Sequence, residues 1–84
     1  MDQNENLIRE NVRRAIEVMT AWTGDPDRQF TWSRFVHNVV DEPDGAITLL
    51  MGFVTLGGEL LVGLEKATGK GAPWHLQQVA AKYA

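Results

Sequence analysis

Gly45-Ala-Ile-Thr-Leu-Leu-Met-Gly-Phe-Val-Thr-Leu-Gly-Gly-Glu-Leu-Leu-Val-Gly-Leu64 is the stretch on which the fold turns, and Glu59 is its only charge. It lacks the strict alternation of a half-buried strand and is too long for one strand. A helix that is apolar almost all round fits it best. Two hairpin strands turning at Gly57-Gly58 are the competing reading. Gly52, Gly57, Gly58 and Gly63 are costly in an exposed helix, at about 1 kcal/mol each relative to Ala. Their number suggests that another helix approaches closely, which makes these four the candidates for helix packing or a dimer contact. Gly57-Gly58 is also a candidate kink.

Such a helix must be covered, by protein or by lipid. Residues 46–64 are long enough to cross a hydrocarbon core. Against a span, Glu59 would sit inside it at a cost of a few kcal/mol. Asp41, Glu42 and Asp44 precede the run, and only Lys66 and Lys70 give it a basic side. A buried central helix is therefore expected, with a membrane-inserted protein through residues 46–64 as an alternative.

The rest of the chain supplies amphipathic cover. In segment 7–23, Ile8, Val12, Ala15, Ile16, Met19 and Trp22 recur at helical spacing, opposite Arg9, Glu10, Arg13, Arg14 and Glu17. Asn4 or Asn6 can cap this helix. Glu10 with Arg14, and Arg13 with Glu17, stand four apart and are expected to pair. Gly24 is expected to end it in the left-handed conformation. Asp25-Pro26 restarts a helix running to about residue 40, with Thr31 as the alternative cap. Its stripe is Trp32, Phe35, Val36, Val39 and Val40. Pro43 breaks the pattern. After Gly69-Lys70-Gly71-Ala72, Pro73 opens a last helix, 73–83, with Leu76, Val79, Ala80 and Tyr83 on one face.

These elements predict an all-α fold: one domain, residues 1–84, a compact bundle of four helices around a glycine-rich apolar third helix. The 84 residues and 9.4 kDa leave no room for a second core. So short a chain does not readily cover that helix alone. A second copy would complete the cover, and a homodimer is expected because two-fold pairs are the commonest assemblies.

Few residues point to chemistry. With no cysteine, disulfides, thiolate nucleophiles and Cys-based metal sites are excluded. Ser33 and His37 share a helix face, but no strained elbow surrounds the serine. His75 follows Trp74 at a helix start. Asp41, Glu42 and Asp44 do not alternate as a calcium loop requires. Gly63 to Gly71 has the wrong spacing for a phosphate loop and follows a helix rather than a strand. No enzyme, metal or cofactor is expected.

The net charge is −3, and the five arginines in residues 1–34 are outnumbered by eight acids in residues 1–42. Nucleic acid is thus not the expected partner; a DNA-associated transcriptional regulator is kept as an alternative. Three tryptophans are many for this length. Phe30, Trp32 and Arg34, with Trp74, are the candidate partner-binding residues, because Trp and Arg are favoured interface anchors. Residues 1–6 are polar and acidic, unlike a secretory leader, so a cytoplasmic protein is expected.

The run Leu56-Gly-Gly-Glu-Leu-Leu-Val-Gly-Leu-Glu-Lys-Ala-Thr-Gly69, followed by a short helix ending Val79-Ala-Ala-Lys-Tyr-Ala84, resembles small helical proteins of actinobacteria and their phages. The resemblance covers residues 46–84 and carries no catalytic residue. It implies a soluble, non-enzymatic accessory protein. The expected function is accordingly protein-protein interaction, with itself and with another protein.

Overall fold

The computed structural model describes residues 3–24 and 28–84. It is all-α, with four helices arranged about the third. They are α1 (Gln3–Thr23), α2 (Gln29–Val40), α3 (Gly45–Thr68) and α4 (Ala72–Lys82). α3 touches each of the others, most extensively α1, whereas α4 touches α3 alone among the described residues.

Helix ends differ from expectation in instructive ways. Asn4 and Asn6 lie within α1, so neither caps it. Gly24 closes α1 through its N–H to the Ala21 carbonyl (3.3 Å), without a left-handed conformation. Asp25 and Pro26 fall outside the described residues. Thr31 is already inside α2, which Arg28 introduces with φ 66°. That backbone is costly for a non-glycine residue. It lets the Arg28 guanidinium stack on Trp22 (4.5 Å to the ring centre) and donate to the Trp22 carbonyl (3.2 Å). Both contacts tie the second helix to the end of the first.

α3 is one continuous helix through Gly57-Gly58, not a hairpin. It ends at Gly69, φ 73°, whose N–H reaches the Glu65 carbonyl (2.8 Å), the left-handed exit that glycine takes without a Cβ clash.

The packing centre is small. Ala15 and Val18 from α1 and Leu49 from α3 are buried together, with Val39, Phe53 and Leu56 packed around them. Two glycines make this possible. A Cβ at Gly45 would overlap the Asn38 carbonyl oxygen, and one at Gly52 would overlap that of Asn11. Gly52 is thus the point where the α1 and α3 backbones meet. Gly57, Gly58 and Gly63 have open space where a Cβ would sit.

Arg14 bridges three elements from the flank of this core. It meets Glu10 (3.4 Å), Glu42 ahead of α3 (3.6 Å), and the Asn38 side-chain oxygen (3.4 Å). Asn38 is itself buried and donates to the Arg34 carbonyl (2.9 Å). The expected Arg13–Glu17 pair is replaced. Arg13 turns to Glu10 (3.5 Å), and Glu17 is taken by Arg34 of α2 (3.3 Å).

The expectation that α3 would be buried needs correction. Only 11% of its most apolar 18-residue window is buried. α1 and α2 cover one side of the N-terminal half, and the opposite side is bare.

Candidate interaction surface

α1 runs antiparallel to α3. Glu5 and Arg9 share a groove with Thr55 and Glu59, Asn11 meets Gly52, and Ala15 and Val18 meet Leu49. This arrangement covers the face of α3 that carries Gly45, Leu49, Gly52 and Leu56. The helical repeat then turns Ile47, Leu50 and Val54 away from it. These are 63%, 65% and 69% exposed. Past Glu59, Leu60, Val62 and Leu64 are exposed as well, on different sides of the helix. Where this face meets α1, Ile8 and Asn11 join Leu50, Met51, Val54 and Thr55 around a shallow apolar groove of about 370 Å³. On α4, Leu76 and Val79 are exposed as well.

So many exposed large apolar side chains on one helix are unusual on a protein that works alone in water. The signal for them was present in the sequence, in the absence of any polar side to residues 45–64. Periodicity reports that a segment is apolar; it does not report which neighbour covers it.

The aromatic candidates fall into two separate places. Phe30 and Trp32 are both exposed near the start of α2. The Arg34 guanidinium lies over the Phe30 ring (4.9 Å) while holding Glu17, and Trp32 stacks on Phe35 (5.5 Å). Phe30 and Arg34 line an open groove of about 520 Å³ with Glu17, Thr20, Ala21 and Gly24. Trp74 sits on α4, edge-on to His75 (5.1 Å) and beneath the Lys70 ammonium (5.6 Å). Since α4 touches only α3 among the described residues, Trp74 does not join the α2 cluster.

Each histidine has a local partner. His37 Nδ1 is 2.9 Å from the Asp41 carboxylate, and His75 Nε2 is 3.0 Å from the Thr68 hydroxyl. Thr68 also donates to the Leu64 carbonyl (2.6 Å) and accepts from the Lys70 N–H (3.2 Å), so it organises the α3–α4 turn. Among the described residues, no group of three or more His, Asp or Glu side chains is gathered as a metal site would require. No protein-family model matches the chain, and neither does any curated protein or solved structure.

Proposed function

We propose that the chain is a non-enzymatic accessory protein of the cytoplasm that acts through protein-protein association. It pairs with a second copy along α3, and the aromatic patch at Phe30, Trp32 and Arg34 is left outside for another protein. The observation that carries this reading is the 24-residue apolar α3, with 11% of its core window buried. Water must be kept from that face, and another protein surface does so without moving any charge. The same reading agrees with what the resemblance of residues 46–84 implies.

A membrane reading draws on the same helix, since the window has mean hydropathy 1.9 and the length to cross a bilayer. The antiparallel packing of α1 weighs against it. Exposed Arg9, Glu10, Arg13 and Glu17 run beside residues 45–59, at the depth a span would place in hydrocarbon. A span would require α1 to leave α3 and abandon the Ala15–Val18–Leu49 core. Binding to DNA is weakened by the use of Arg14 and Arg34 in ion pairs with Glu10, Glu42 and Glu17.

Flotation through a density gradient with phosphatidylcholine vesicles, with and without anionic lipid, tests the choice. The protein is expected to stay in the detergent-free bottom fraction and remain soluble. Co-flotation with either vesicle would overturn the proposal in favour of membrane insertion or surface binding.

A further inference from the structure

The exposed face of α3 has its own internal order. Ile47, Leu50, Val54 and Leu64, all exposed, and Gly57 and Leu61, half-buried, follow one another at spacings of three and four, and the series continues to Thr68 at the α3–α4 turn. This is the spacing of a helix-pairing seam. Its midpoint falls at Gly57-Gly58, where neither residue has anything within 4 Å of where a Cβ would be. Resting on the homodimer reading above, we infer that two copies pair antiparallel along this seam, with the two-fold axis passing through Gly57-Gly58.

Area supports a second copy as the occupant. A compact folded chain of 9.4 kDa exposes about 5,000 Å². This chain exposes 6455 Å², an excess of about 1,400 Å². Obligate homodimers bury roughly 1,000–2,500 Å² per chain, so one isologous contact of ordinary size accounts for the surplus.

Charge favours the antiparallel direction. With the axis at Gly57-Gly58, Val54 lies opposite the partner's Leu61 and Ile47 opposite the partner's Thr68. Lys70 then arrives beside the partner's Asp44, within a turn of the partner's Asp41 and the partner's Glu42. Lys70, just past the end of α3, thus approaches the acidic turn that precedes α3 in the other copy. A parallel pair would instead set acidic turn against acidic turn and Glu65 against the partner's Glu65, like charges in register. Opposed helix dipoles act in the same direction. The glycines let the two backbones approach where they cross, and the exposed apolar residues in the far half of each α3 meet those in the near half of the other.

Because the chain contains no cysteine, single cysteines report the geometry cleanly. The samples are Val54→Cys alone, Leu61→Cys alone, and an equal mixture of the two after subunit exchange, one carrying a mass tag. Each is oxidised mildly once its mass has been measured by light scattering. In the antiparallel pair the two Val54 positions are seven residues apart along the axis, about 10 Å, beyond disulfide reach. The expected result is a mass of two chains throughout, a mixed Val54→Cys–Leu61→Cys disulfide, and no self-linking of either variant.

Self-linking of Val54→Cys would overturn the antiparallel arrangement while leaving the homodimer standing. So would a two-chain mass with no cross-link in any sample. A mass of one chain would instead remove the homodimer itself. Gly58→Leu provides an independent arm. It faces open space within one chain, so helical circular dichroism is expected to be kept while the mass falls twofold. Retention of the two-chain mass by Gly58→Leu would place the contact elsewhere and overturn the proposal.

Discussion

Replacing Gly52 by Ala adds a single methyl group where α1 crosses α3. That methyl carbon would overlap the Asn11 carbonyl oxygen, stand 2.6 Å from the Asn11 carbonyl carbon and 3.3 Å from the Val12 nitrogen. All three atoms are α1 backbone, so no rotamer change relieves the overlap, and α1 must move outward by about 1 Å. A gap of that size forfeits a quarter to a half of each contact it opens. The contacts at risk are those of Ala15 and Val18 with Leu49, the centre of the core. Overpacking of this kind costs about 1–3 kcal/mol, and an immovable backbone puts it near the upper end. Alanine's better helix propensity returns about 1 kcal/mol. The net expectation is a loss of about 2 kcal/mol, from a total of roughly 4–13 kcal/mol for a domain of this length. Urea unfolding followed by circular dichroism, at fixed protein concentration, measures it. Gly63→Ala is the matched control, since its Cβ would meet nothing within 4 Å. If Gly52→Ala is as stable as Gly63→Ala, the close approach of α1 and α3 is refuted.

Three further outcomes follow from the same geometry. Gly69→Ala forces a side chain into φ 73° and should lower stability by about 1 kcal/mol in the same urea experiment, with no change in oligomeric mass. Arg14→Met keeps much of the side chain's length but strips its contacts to Glu10, Glu42 and the buried Asn38; a loss of about 1–2 kcal/mol is expected, and an unchanged midpoint would deny the bridge any weight. Lys70→Glu should weaken the dimer about fivefold in a dilution series, its two symmetry-related exposed pairs together contributing roughly 1 kcal/mol at low salt, and unaltered dilution behaviour would mean this lysine faces away from the acidic turn.

What the sequence disclosed, and what it withheld, divides along a physical line. The limits of α3 were legible because Pro43 and Gly69 act locally on the backbone, whatever surrounds them. The difference between Gly52 and the pair Gly57-Gly58 was not. A glycine's cost is fixed by its own backbone, whereas its use depends on what another helix brings against it. Glu17 makes the same point for charge. Its spacing to Arg13 offered a pair within α1, but α2 delivers Arg34 to it instead. The start of α2 was missed for a different reason. Arg28 adopts a backbone that Gly or Asn would advertise, supported by a ring stack and a hydrogen bond to a residue six positions earlier. For the surface, the aromatic residues were recognisable as a type, yet only the topology separates Trp74 on α4 from Phe30 and Trp32 on α2. The bare side of α3 was readable only as apolarity without an owner.

That bare side is where the reading of the whole molecule meets its simplest test. Multi-angle light scattering on the intact chain, eluted from gel filtration in detergent-free buffer over a hundredfold range of concentration, gives the mass directly. Twice the 9.4 kDa chain mass, held down to the lowest concentration, is the expected result. A monodisperse peak at 9.4 kDa throughout would contradict it, since the face carrying Ile47, Leu50 and Val54 would then stand in water unaided.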